Sequence, residues 1–235
     1  MGQFKITDEL AQSIIKMRGR VHAYEDYDPA TTALVVVDMQ NYFLDETEQA
    51  YCSAAKHIVP EINRLAENVR QTGGMVVWVQ TQAKPEIRQE WANFLELYTD
   101  ETRAQRFKSL MPGSYGFEIW PDLIVAPEDE VVIKTRYSAF IQGSSNIEAI
   151  LRARTIETVL VAGTVTNVCC DSTARDAMML GFRTIMVSDG NAAFDEKEHV
   201  AALNTFIRVF GDVQSTDEII ERLTAKQHVA QISVG

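Results

Sequence analysis

The apolar positions of this chain follow two rhythms that alternate. "ALVVVDMQ" (33–40) is a continuous apolar run that ends in polar residues, the pattern of a strand buried on both faces. "MVVWVQ" (75–80), "EVVIKTR" (130–136), "TVLVAG" (158–163) and "RTIMVSD" (183–189) repeat it, and a short further strand is expected at 212–214. Between these runs the spacing becomes helical. Ile58, Ile62, Leu65, Ala66 and Val69 share one helix face, and Gly73-Gly74 ends that helix. Helices are also predicted at 146–154, at 169–180 with a stop at Gly181, at 196–210 with Val200, Leu203, Ile207 and Phe210 on one face, and from 217 onward.

Strand and helix in alternation mean parallel strands joined by right-handed crossovers. The expected fold class is α/β, a single domain with an open parallel sheet and helices on both faces. Residues 31–235 form that domain. Residues 1–30 form an N-terminal helix, about 8–20, and an arm, which packs on the body or on another subunit. One long interruption, about 81–129, holds Trp91, Phe94, Tyr98, Phe107, Tyr115, Phe117 and Trp120. It is too aromatic for a disordered linker and reads as a partly helical insertion, a lid over a pocket.

Composition narrows the partners. The net charge is −11, from 22 basic and 33 acidic residues, which argues against nucleic acid and anionic membranes. No apolar run reaches the ~18–20 residues needed to span a bilayer. The N-terminus carries charges throughout and has no signal-peptide core, so a cytoplasmic location is expected. The three cysteines, Cys52, Cys169 and Cys170, do not form a disulfide framework. His22, His57, His199 and His228 are far apart, and no Cys-x-x-Cys or His-x-x-x-His pair suggests a metal site.

In an open parallel sheet, ligands sit outside the carboxyl ends of the strands. Strand one ends in Asp38 and strand three in Lys134; strand four runs through "TVTNV" to Cys169 at the expected start of a helix. These side chains should converge on one edge. A thiol at a helix N-terminus is expected to have a lowered pKa. A carboxylate can take its proton and return it to a leaving amine, and a lysine can hold that carboxylate ionised. Backbone N–H groups in the turn before the helix can bind an oxyanion. The plainer roles are a core thiol for Cys169 and a surface ion pair for Lys134. Cys170, about 100° further round the helix, should pack inward.

"ALVVVDMQNYF", "VVIKTRYSAF" and "VAGTVTNVCCDSTARDAMMLGFRTIMVSDGNAA" together resemble the isochorismatase-like cysteine hydrolases, across roughly residues 31–213. "KTRYSAF" is most similar to the ureidoacrylate and N-carbamoyl amidohydrolase branch. The resemblance implies a six-stranded parallel sheet and a catalytic triad of Asp38, Lys134 and Cys169. It also implies a cis peptide bond between Thr164 and Val165, which aims the N–H groups of Val165 and Cys169 at the oxyanion. It implies a dimer or tetramer. Nicotinamidases of the same superfamily bind a metal through an Asp-x-His and a further His after the second strand. Here that stretch reads "VQTQAKPEI", without histidine, so no metal and no cofactor are expected.

The expected activity is therefore cysteine-dependent hydrolysis of a small amide, ureido or carbamoyl compound. Phe43, Gln80, Arg136, Tyr137 and Phe140 follow strand ends and are the candidate substrate-binding residues, with Arg136 suited to a substrate carboxylate. Asn41 is expected to fix a loop or touch ligand, Asn167 to support the turn, and Arg175 and Asp176 to make structural ion pairs. Three further classes compete. A phosphotransferase using Asp38 would need a carboxylate two residues on, where Gln40 stands. A non-catalytic binding module would keep the fold without turnover, and a redox sensor would use Cys169 and Cys170.

Overall fold

Strand β1 (Thr32–Val37) is buried along its whole length, and the alternation of its side chains supplies two cores. Leu34 and Val36 enter one apolar cluster; Ala33, Val35 and Val37 enter the other. The computed structural model describes residues 4–233, so residues 1–3 of the expected arm and 234–235 lie outside the described residues. The other strands are β2 (Met75–Thr81), β3 (Glu130–Lys134), β4 (Thr158–Thr164), β5 (Arg183–Ala192) and β6 (Asp212–Gln214). They form one parallel six-stranded sheet in the order β3-β2-β1-β4-β5-β6. The chain builds outward from β1 in one direction and resumes beside it at β4, so a crevice opens at the carboxyl ends of these two strands.

The helices in chain order are α1 (Asp8–Arg18), α2 (Asn41–Leu44), α3 (Val59–Gln71), α4 (Ile87–Glu90), α5 (Ala92–Leu95), α6 (Asp100–Ser109), α7 (Ile147–Ala153), α8 (Asp171–Met179), α9 (Glu196–Val209) and α10 (Thr216–Ser233). Ile62, Leu65, Ala66 and Val69 of α3 bury against one sheet face with Ile219 and Leu223 of α10. Helices α7, α8 and α9 cover the other face through residues such as Leu151, Ala177 and Phe206. Helix α1 packs on this second core through Leu10 and Ile14. Thr7 caps its start and Gly19, at φ 80°, its end. The arm beyond it crosses β6, where His22 pairs with Asp212 at 3.1 Å and Tyr27 donates to Gln214. The N-terminal helix thus packs on its own chain. Among the described residues, no helix is long and apolar enough to cross a membrane.

The structure departs from the sequence pattern at three element ends. Strand β1 stops at Val37, because Asp38 takes φ 54° and turns the chain out of the sheet. The helix expected from Cys169 begins instead as a π-helical turn, Thr166–Cys170, with α8 following from Asp171. Strand β5 runs on to Ala192. There the Asn191 amide donates to the carbonyls of Val161 and Val187 across an irregularity in the β4–β5 register.

The aromatic insertion folds into α4, α5 and α6 with its own small core of Ile87, Phe94 and Leu95. Trp91 stacks on Phe94 at 4.2 Å, and Tyr137 meets both rings edge-on. Gln40 stitches the insertion to the sheet. Its amide nitrogen donates to the carbonyls of Thr81 and Phe117, and its oxygen accepts from the Thr81 N–H at 2.7 Å. Asn41 donates to the Tyr115 carbonyl, so it fixes this loop.

Gly163 is the tightest point of the β1–β4 contact. It has φ +120°, and a Cβ there would lie 2.0 Å from the Val37 carbonyl oxygen. Gly163→Ala should therefore lower stability by roughly 3 kcal/mol or more. Urea unfolding measures this as a fall in midpoint; an unchanged midpoint would contradict the close approach.

Candidate active site

Asp38 and Lys134 leave the sheet at the ends of β1 and β3, with β2 between them. Two strand spacings separate their backbones, about 9–10 Å. The long lysine stem closes that gap, and Nζ reaches Oδ2 of Asp38 at 2.7 Å, with both side chains fully buried. The Asp38 N–H donates to the Val79 carbonyl, and its own carbonyl accepts from the Thr164 hydroxyl. Lys134 Nζ also donates to the Arg136 carbonyl at 3.1 Å. That carbonyl sits in a loop tied by Ser138 and Ser144, whose hydroxyls bond its backbone.

The third member arrives from β4. The Thr164–Val165 peptide bond is cis, and the π-helical turn that follows carries Cys169. Two contacts to α9 brace the turn: the Thr166 hydroxyl with His199 Nδ1 at 2.9 Å, and Asn167 with Glu198. The Cys169 sulfur lies close enough to Asp38 and Lys134 for the three to shift one another's ionisation. Beyond Lys134 and the Cys169 thiol, no described residue donates to the Asp38 carboxylate, so it has acceptor capacity left.

Burial pushes the Cys169 thiol up to about 12; Lys134 pulls it down and Asp38 adds to the rise. This corrects the lowered value expected from a helix N-terminus. Cys169 sits in a buried π-helical turn ahead of α8, and burial is the largest influence on its thiol. Burial likewise raises the Asp38 carboxyl above its ordinary value, against the opposing charge of Lys134. Burial works against the Lys134 ammonium, yet Asp38 and Cys169 hold it above its ordinary value. The thiol therefore rests neutral, beside the Asp38–Lys134 contact of 2.7 Å. Cys170 is fully buried in the second core, and burial pushes its thiol well up.

Cys169 opens on a cavity of about 410 Å³ beneath the insertion, where Val165 and Val168 also stand. A family model described as "Isochorismatase domain" matches residues 32–218. The chain belongs to the isochorismatase family. A ureidoacrylate amidohydrolase from Caulobacter vibrioides is 33% identical over 204 residues, 80% of this chain and 89% of that one. A "probable inactive nicotinamidase" of Arabidopsis thaliana is 31% identical, over 72% of this chain and 85% of its own. A cysteine hydrolase from Pseudomonas syringae pv. phaseolicola superposes with a TM-score of 0.78 at 28% identity, covering 88% of this chain and 98% of that one. N-carbamoylsarcosine amidase from Thermoplasma acidophilum gives 0.62 at 31% identity, covering 80% and 97%.

In this isochorismatase-family chain, two of the candidate substrate-binding residues, Phe43 and Tyr137, line the cavity. Three other candidates are placed elsewhere. Gln80 shares a sheet face with Trp78 and is buried donating to the Phe117 carbonyl; its neighbour Thr81 faces the cavity instead. Arg136 lies over the Trp91 ring at 5.2 Å and pairs with Glu90 at 3.5 Å. Phe140 packs on Phe182 in the second core. Arg175 pairs with Asp171, a structural role. Among the described residues, no group of three His, Cys, Asp or Glu side chains is placed to hold a metal ion.

The sequence did not single out Tyr42, Gln49, Thr102 or Arg106, all of which border the cavity. One signal for the last two was present. Thr99 followed by Asp100, Glu101 and Thr102 is a helix start, and it places Thr102 and Arg106 one turn apart on the same face.

His199 is buried neutral, its pKa lowered by burial to about 4. Between about 6.5 and 4 the unfolded chain therefore binds the proton that the folded chain excludes. Stability should fall across that window as pH drops, by about 3 kcal/mol. His199→Gln should remove that part of the slope when unfolding free energy is measured against pH; an unchanged slope would contradict it.

Proposed function

We propose that the protein is a cysteine-dependent amidohydrolase acting on a small amide, ureido or carbamoyl compound. The observation that carries this is the fully buried Asp38–Lys134 contact at 2.7 Å beside a thiol that opens on a cavity. The names of the Caulobacter and Thermoplasma relatives point to ureido and carbamoyl compounds.

Asp38 takes the proton of Cys169 as the sulfur attacks the substrate carbonyl carbon. The carbonyl oxygen gains the negative charge and accepts from the N–H groups of Val165 and Cys169. The C–N bond then breaks, and Asp38 returns its proton to the departing ammonia or amine. A thioester remains on Cys169. Water enters and gives a proton to Asp38, its oxygen attacks the thioester, and the sulfur leaves and recovers that proton. Lys134 stays charged throughout, so Asp38 never faces the thiolate without a cation beside it. The scheme uses no cofactor.

The competing function is a non-catalytic module on the same fold, as the name of the Arabidopsis relative illustrates. An ammonia-release screen over ureido acids, carbamoyl amino acids and simple amides separates the two. Cys169→Ala should stay folded and lose about a thousandfold or more in kcat/KM; equal rates for wild type and Cys169→Ala would refute the assignment. The pH profile is a separate test. The base form of Asp38 is required, so activity falls as pH drops through its pKa. Burial raises that pKa, so the acid limb should lie above the ordinary carboxylate value. An acid limb at or below that value would remove Asp38 from the role.

A further inference from the structure

Arg106 occupies an unusual electrostatic position. It is the only charged side chain among the described residues lining the cavity, in a protein whose net charge is −11. Helix α6 presents it from the insertion. Its guanidinium lies over the rings of Phe94 at 5.2 Å and Tyr42 at 5.7 Å, which hold it in place without neutralising it. Arg103, one turn earlier on the same helix, pairs with Asp100, and Arg136 pairs with Glu90. No carboxylate among the described residues pairs with Arg106.

The charges of the site make the consequence specific. Asp38 and Lys134 cancel, the thiol is neutral, and Arg106 leaves the cavity lining with one positive charge. Around it stand neutral groups: the hydroxyls of Tyr98 and Tyr137, 3.4 Å apart, and the amide of Gln49, which donates to the Tyr42 hydroxyl. We propose that Arg106 is the specificity-determining residue of this site, and that it selects substrates carrying one carboxylate. In such a substrate the carbamoyl or amide carbon lies at Cys169 and the carboxylate at the opposite end meets the Arg106 fork. The substrate class is thus a small ureido- or carbamoyl-substituted monocarboxylic acid. A neutral amide of the same size leaves the cation unpaired. A second carboxylate in the substrate finds no partner in the lining. The proposal builds on the amidohydrolase reading given above, but its binding half stands without turnover.

Binding to Cys169→Ala protein tests it, because no hydrolysis interferes. The ligands are ureido and carbamoyl monocarboxylates of about two to six carbons, each paired with its uncharged methyl ester and titrated by calorimetry. At least one acid should bind about tenfold or more tightly than its ester. That preference should vanish in Cys169→Ala/Arg106→Gln protein. If the glutamine variant does not fold, Arg106→Lys serves; it keeps the charge but loses the fork, so the preference should shrink several-fold. No preference for any acid, or one that survives both substitutions unchanged, overturns the proposal. A tenfold preference in protein that hydrolyses nothing before the cysteine is replaced would overturn the amidohydrolase reading and leave this one standing. Equal loss of turnover on acids and esters in Arg106→Gln would show that Arg106 acts on the thiol rather than on substrate.

Discussion

The buried contact between Asp38 and Lys134 constrains everything around it. Each charge taken from water costs several kcal/mol, and chiefly the other offsets it. Removing either partner leaves an uncompensated charge in a dry interior, a loss of about 3–5 kcal/mol. The pair therefore requires that β1 and β3 end at the same level on either side of β2, and that the chain turn sharply at both ends. The φ of 54° at Asp38 and the serine-tied loop after Lys134 are those turns. The sheet order places the third component, because β4 lies on the other side of β1 and delivers its turn to the same edge.

This arrangement works differently from a thiol ionised in advance. In the resting site burial keeps the proton on the sulfur, and the carboxylate beside it is held by the Lys134 contact at 2.7 Å. In the proposed mechanism, proton transfer and attack on carbon are then coupled, and the thiolate forms only when a carbonyl is there to receive it. Such a site also limits adventitious oxidation, since the thiolate is the oxidation-prone form. Burial accordingly belongs to the chemistry: the desolvation that keeps the thiol neutral also strengthens each charge–charge interaction in the site.

Much of this was legible in the sequence. Continuous apolar runs marked the strands, and polar residues at their ends marked the functional edge, because an Asp after "LVVV" needs a buried partner. Other parts depend on geometry that a one-dimensional pattern does not carry. The period of two puts Gln80 and Thr81 on opposite faces, but only the packed sheet tells which face meets the cavity. A turn that begins as π-helix and one that begins as α-helix contain the same residue types, so the depth at which Cys169 is buried is set by the packed fold and not by the local pattern. Arg136 and Arg106 are equally plausible from composition. Glu90 and Trp91, brought close only by the fold of the insertion, engage one and leave the other facing the cavity.

The central claim is that the sulfur of Cys169, and no other atom, becomes bonded to the substrate carbon. Rapid acid quenching during turnover, followed by peptide mass spectrometry, tests it most directly. The expected result is a transient acyl or carbamoyl increment located by fragmentation on Cys169, with Cys170 and Cys52 unmodified. Turnover with no increment at any quench time, or an increment on Cys170, would contradict it.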